Sequence, residues 1–231
     1  MKKAFDRFSA IYGAEALERL SSCHIAVFGV GGVGGWAAEA LARCGVGRFT
    51  LFDGDTVDIT NINRQVVALS TTVGMYKTEI MKKRIEEINP DAQVIIHSVF
   101  YTKENSGDYP LDGYDYVIDA IDSVPDKLEI IKRAKECSVP VISAMGAAKK
   151  TDPSLFEVGD IYKTSVCPLA KVMRKRIREE GIDSLKVVFS KESPRESRTE
   201  GTLASVVFAV SGAGMMIAKE VIEDLASKNR K

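Results

Sequence analysis

Five short apolar runs, at residues 24–30, 48–53, 93–99, 115–120 and 139–145, punctuate the chain as far as Gly146, and amphipathic stretches separate them. Runs that stay apolar without alternating are buried on both faces, which predicts parallel strands covered by helices on either side. The intervening helices fall at about 33–44, 76–88 and 125–137; Asn89-Pro90 stops the second, and Pro125 suits the first turn of the third. A leading helix is expected over 9–20. Beyond Gly146 the pattern loosens into a strand at 156–161, a basic helix near 169–180, a strand at 185–189, a polar loop over 190–200 and a terminal helix. The fold class read from this order is α/β, with a mostly parallel sheet, helices on both faces and a C-terminal α/β extension. There is no internal repeat or low-complexity tract.

Composition narrows the class. With 231 residues, 45% hydrophobic and 28% charged, the chain suits one soluble globular core. Lysine plus arginine (32) balances aspartate plus glutamate (32), so any electrostatic site is local. Cys23, Cys44, Cys137 and Cys167 form no CxxC pair, which argues against a structural zinc site or a disulfide framework. The N-terminus MKKAFDRFSAIYG passes into polar sequence with no apolar signal core. These features predict a cytoplasmic, reduced protein. Residues 201–218 carry no charge, long enough to raise a membrane span, but their glycines and serines favour a closely packed buried helix, and no stable membrane insertion is expected.

The run CHIAVF leads into Gly29-Val30-Gly31-Gly32-Val33-Gly34 and then a helix, the Rossmann-like context in which a glycine loop presents backbone amides to phosphates. Asp53 closes the second strand, where a carboxylate can accept ribose hydroxyls. This pair predicts a nucleotide without choosing between NAD and ATP; the absence of GxxxxGK[ST] disfavours a P-loop nucleotidase. Charge bears on the choice, since a triphosphate brings more anionic oxygens and a metal. Asp55, Asn61, Arg64 and Gln65 follow in a polar loop, and Lys77 opens a helix whose apolar stripe, Met81, Ile85 and Ile88, it extends backwards. An inward lysine here suits phosphate, a snorkelling surface lysine is the alternative, and spacing alone leaves both open. Asp122, after the fourth strand, can hold magnesium or cap the helix at Pro125.

GVGGVG at 29–34, FDGDTVDITNINRQ at 52–65, VGMYK at 73–77 and VIDAIDS at 117–123 together resemble the adenylating fold of the ubiquitin-activating and ThiF/MoeB superfamily over about residues 7–150. The resemblance implies that Gly29, Gly31, Gly32, Gly34, Asp53, Asp55, Asn61, Arg64, Gln65 and Lys77 bind ATP. It implies further that Arg64 and Lys77 neutralise its phosphates, that Asp122 carries Mg2+, and that Arg7 reaches into the site of a partner subunit in a homodimer. Residues 1–150 then form the ATP-binding core and 151–231 a substrate and dimer extension of one adenylating domain. The two zinc-binding CxxC pairs common in enzymes that activate sulfur-carrier proteins are missing. INRQ, VIDAIDSVPDK and KTSVCPLAKVMRKRIR resemble instead the branch of tRNA threonylcarbamoyladenosine dehydratases, which activate a carboxylate on the adenosine beside the anticodon and cyclise it. This implies a tRNA substrate. A sulfur-carrier adenylyltransferase and a non-catalytic nucleotide-binding module are the competing readings, and sulfur-transfer helper proteins a further partner class.

An RNA partner needs positive surface. Residues 163–198 hold ten lysines and arginines against five acids, an excess of +5 that the neutral total hides. On the basic helix Lys171, Lys175 and Arg178 share a face opposite Val172, Met173 and Ile177, suited to backbone phosphates, although a solvated face gives the same pattern. Cys167, just before this helix, is a candidate nucleophile by position and a small buried residue otherwise. His24 and His97, in or beside strands, read as structural.

Overall fold

The computed structural model describes residues 2–199, 201 and 203–227. Its strands are β1 (His24–Phe28), β2 (Arg48–Phe52), β3 (Gln93–His97), β4 (Tyr116–Asp119), β5 (Val141–Ala144), β6 (Phe156–Asp160) and β7 (Lys186–Ser190), joined in one sheet of order β3-β2-β1-β4-β5-β7-β6. All neighbours run parallel except β6, which pairs antiparallel with β7 as Phe156 opposite Ser190 through Asp160 opposite Lys186. The expected mostly parallel α/β architecture is therefore present.

Strand alternation divides the core between the two faces of the sheet. Ile25 and Val27 of β1 point into a cluster with Leu41, Met81, Ile85 and Val221. Ala26 and Phe28 point the other way, toward Ile130, Ile131, Met173 and Ile177. The first face is covered by α2 (Ala14–Ser22), α3 (Gly34–Arg43), α4 (Lys77–Ile88) and α7 (Val207–Ala226), the second by α5 (Val124–Glu136) and α6 (Pro168–Glu179).

Several expectations need correction. The leading helix is two, α1 (Asp6–Tyr12) and α2, because Gly13 adopts φ +86°, a left-handed conformation that interrupts the helix. The terminal helix starts at Val207 and not near 201. Val206 at its N-cap is extended, and Ala204 and Ser205 spend their carbonyls on other loops, accepting from Lys149 N–H at 2.8 Å and from Asn63 Nδ2 at 2.9 Å. Glu200 and Thr202, within the expected polar loop and uncharged run, lie outside the described residues. Within α7, Ala209, Ala213, Ile217 and Val221 are buried, and among the described residues no helix is long and apolar enough to cross a membrane. Its small residues serve close packing: a Cβ on Gly214 would stand 2.5 Å from Val33 O. On α6 the buried stripe is Ala170, Met173 and Ile177, while Val172 is exposed, since a residue one position before Met173 is turned about 100° away from it.

Candidate active site

Strand order reverses between β1 and β4, so a crevice opens beyond their C-terminal ends, the topological switch point where ligands of open α/β sheets bind. A cavity of about 510 Å3 lies there. Its glycine wall follows β1. Gly29 has φ +87°, and a Cβ on it would stand 2.8 Å from Ala120 O; a Cβ on Gly34 would stand 1.9 Å from Gly29 O. These two glycines let the loop fold against itself and against β4, and Gly29, Gly31 and Gly32 line the cavity ahead of α3. Gly34 supports the wall without lining it, and it is the one residue of the expected glycine set to do so.

Asp53 follows β2 beneath this loop. Its Oδ2 accepts Val30 N–H at 2.7 Å and its Oδ1 accepts Asp55 N–H at 2.9 Å, so it fixes the glycine loop while each oxygen keeps a further lone pair for a ligand in the cavity that Asp53 lines. Burial pushes its carboxyl above the usual range, opposed by the Lys77 ammonium and the two amides.

Lys77 is buried at the first turn of α4, and its ammonium donates to Asp55 Oδ2 at 2.6 Å. The inward reading of this lysine holds, and the snorkelling alternative does not. Asn61 is held in a capping box in which Asp58 N–H donates to Asn61 Oδ1 at 3.1 Å, leaving its Nδ2 amino group to donate elsewhere. Arg64 is braced by Nη1 bonds to Thr60 O and Asn63 Oδ1 at 2.8 and 2.9 Å, and its own carbonyl accepts the Trp36 indole at 3.0 Å. Gln65 is buried with Oε1 lacking a partner among the described residues, an acceptor that a ligand hydroxyl or amino group would satisfy. All four residues line the cavity.

Asp122 lines the opposite wall with Ser123 and Asp126. The capping role open to Asp122 is not seen: α5 begins at Val124 with Ser123 at its N-cap, and Ser123 Oγ donates to Asp126 Oδ2 at 2.5 Å. Among the described residues no three His, Cys, Asp or Glu side chains cluster as a cage for a metal. Asp122, with Asp126 on the same wall, fits Mg2+, which is held by one or two carboxylates together with phosphate oxygens and water.

The remaining expected residues lie elsewhere. Arg7 is exposed on α1 and does not line the cavity. Lys171 and Lys175 are exposed on α6, Lys175 lying 3.8 Å from Glu179, and Arg178 sits 5.3 Å over the Tyr162 ring. None of the three lines the cavity. Cys167 is buried at the N-cap of α6, behind the cavity wall at Gly146, where a Cβ would meet its Sγ at 3.4 Å. It is not presented to the cavity, which removes the motive for reading it as a nucleophile there.

Other site features are absent from the motif reading. Phe28 and Phe52 stack at 4.5 Å as an apolar floor, with Tyr101 edge-on to Phe28 at 4.8 Å. Burial pushes the Tyr101 phenol up to about 12. Beneath the Asp122 wall, buried Lys127 donates to Asp119 Oδ2 at 2.8 Å and to Ala144 O at 3.1 Å, while Ser143 Oγ donates to the same Asp119 oxygen at 2.5 Å. This fixed network ties the end of β4 to the end of β5. Ser205 and Val210 bring the region before and within α7 to the cavity rim.

A glycine-loop crevice with a carboxylate at the end of β2, two cations and a further carboxylate opposite defines a nucleotide-binding α/β protein equipped for a highly charged phosphate ligand. The chain belongs to the ThiF family, which it matches over residues 5–231. It is 45% identical to tRNA threonylcarbamoyladenosine dehydratase of Bacillus subtilis, covering 97% of this chain and 95% of that protein. It is 39% identical to the protein of the same name from Escherichia coli, over 93% and 83% of the two chains. The structure of the Escherichia coli enzyme, TcdA, in complex with ATP superposes with a TM-score of 0.91 at 36% identity, covering 97% of this chain and 94% of that one.

Proposed function

We propose that this chain is an ATP-dependent tRNA threonylcarbamoyladenosine dehydratase. It adenylates the carboxylate of the threonylcarbamoyl group and promotes its cyclisation with net loss of water. The observation that carries this reading is the cavity in which Gly31, Gly32, Asp53, Arg64, Lys77 and Asp122 meet, in a chain matching dehydratases over nearly its whole length. The carboxylate is already ionised at neutral pH, so no general base is required, and the barrier lies in bringing two anions together. Arg64 and Lys77 offset that repulsion and hold the charge that develops on the α-phosphate and the departing pyrophosphate. Lys77 does so by exchanging its Asp55 partner for phosphate. Asp53 accepts the ribose hydroxyls. Mg2+, held by Asp122 and the phosphates, would neutralise further charge on the leaving group. Once pyrophosphate has left, a nitrogen of the same substrate displaces AMP from the acyl adenylate, and holding the two groups together drives the ring closure.

The protein is proposed to work in the cytoplasm, where its tRNA substrate resides, and as a homodimer in which Arg7 completes the neighbouring site and residues 151–231 supply substrate and dimer contacts. Exposed apolar side chains, Ile59, Ile62, Phe208 and Met215 among them, offer surface for such a dimer. Pyrophosphate release on adding ATP with tRNA that carries threonylcarbamoyladenosine tests the function. Release with a sulfur-carrier protein and not with that tRNA supports the adenylyltransferase reading instead.

The α6 cations belong to the same proposal. Reversing Lys171, Lys175 and Arg178 to glutamate is expected to weaken tRNA binding and to flatten its salt dependence, by a log–log slope of about 0.7–0.9 for each phosphate no longer neutralised, with ATP binding intact. An unchanged slope would make this helix a solvated face.

A further inference from the structure

A second cleft, of about 300 Å3, opens beside the first and shares Ser205 with it. Three loops meet there. Lys149 N–H donates to Ala204 O at 2.8 Å, and Lys149 O accepts Arg195 N–H at 2.8 Å, which sets residues 204, 149 and 195 side by side. Glu192 ties these loops together, its Oε2 accepting the amides of Thr151 and Asp152 at 2.8 and 2.9 Å.

The lining carries four cations, Lys149, Lys150, Arg195 and Arg198, against one carboxylate, Glu196. Two of these are already engaged, Arg195 with the Glu192 carboxylate at 3.1 Å and Lys150 with the Glu192 carbonyl. Lys149 and Arg198 form no ion pair among the described residues. Lys149 also adopts φ +59°, a strained conformation for a lysine, at the point where it lines the cleft. At the wall common to both openings, Ser205 Oγ is buried with no hydrogen-bond partner among the described residues. A hydroxyl in that position can donate to an anionic oxygen and accept from a ribose hydroxyl.

We propose that this cleft holds the sugar–phosphate backbone of the RNA next to the adenosine whose carboxylate enters the nucleotide cavity, an inference that rests on the function proposed above. Lys149 and Arg198, which form no ion pair among the described residues, supply the recognition chemistry of phosphodiester oxygens. No aromatic side chain lines the cleft among the described residues, so it lacks a stacking platform and grips backbone without reading a base. Its shared wall places the grip beside the chemistry. The α6 cations line neither opening, so they meet RNA farther out, and the cleft is the contact that aims the substrate nucleotide.

The test uses the full-length protein and an anticodon stem-loop RNA, with binding measured across a range of salt. Lys149→Glu with Arg198→Glu should lower affinity about twentyfold at about 0.15 M salt and reduce the log–log slope by about 1.4–1.8, the value for two phosphates released from their cations. The neutral pair Lys149→Gln with Arg198→Gln should give a similar slope change, which covers the case in which the reversed variant fails to fold. ATP affinity and pyrophosphate affinity should match wild type. Unchanged RNA affinity and slope in folded variants would overturn the proposal while leaving the dehydratase reading intact. So would a loss of pyrophosphate affinity with RNA binding preserved, which would make the cleft an exit site for the leaving group. If wild-type protein fails to bind the RNA at all, both the cleft assignment and the tRNA reading fall.

Discussion

Arg64→Ala and Lys77→Ala should each reduce ATP–pyrophosphate exchange by about 100- to 1,000-fold, the loss of about 2.7–4 kcal/mol that follows removal of one preorganised charge from a transition state. Neither change should unfold the protein. Lys77 is buried, but its partner Asp55 has a half-exposed side chain and the buried Asp53 carboxylate, which loses the Lys77 charge, keeps the amides of Val30 and Asp55, so deleting the ammonium leaves no buried carboxylate without a partner. The Arg64 guanidinium bonds exposed groups of its own loop, and the contact it makes with the body of the protein, its carbonyl to the Trp36 indole, is backbone and survives truncation. Exchange near the wild-type rate in either folded variant would remove that residue from the phosphate site.

An equally large effect is expected at Arg7, which lies outside the cavity of its own subunit. Arg7→Ala and Asp122→Ala homodimers should both be nearly inactive. When the two are mixed, one site of each heterodimer combines an intact Asp122 with an intact Arg7 from across the interface, so each heterodimer should recover one working site of its two. Purified heterodimers that stay inactive would show that the arginine does not act between subunits.

Much of this arrangement is legible in the chain because it rests on local patterns. The strands announce themselves as unbroken apolar runs, since a strand buried on both faces has no polar side to display. The glycine loop and Asp53 are readable because a strand, a tight turn and a helix N-terminus leave few residue choices. The apolar stripe of α4 offers Lys77 as an inward lysine without excluding a snorkelling one, and its burial decides between them. What escapes the sequence depends on distant segments meeting. Lys127 reads as one more polar position on an amphipathic helix, yet it is fully buried because Asp119 and Ser143, on separate strands, converge on it. Ser205 is an ordinary serine until the loops at 63 and 149 take its own carbonyl and that of Ala204, just ahead of α7. Val172 reads as part of the buried face because it is apolar, whereas helical geometry turns it outward. Asp122 fits a cap by spacing, but Ser123 takes that position and leaves Asp122 lining the cavity.

The central claim, that this cavity activates a carboxylate on tRNA so that the substrate closes on itself, is tested most directly by the product. Purified protein is incubated with ATP, Mg2+ and tRNA bearing threonylcarbamoyladenosine, and the nucleosides are then analysed by mass spectrometry. Conversion of threonylcarbamoyladenosine to a species lighter by one water, dependent on ATP and abolished in the Lys77→Ala variant, is the predicted result. Recovery of the nucleoside unchanged, under conditions where the same protein binds ATP, would contradict it.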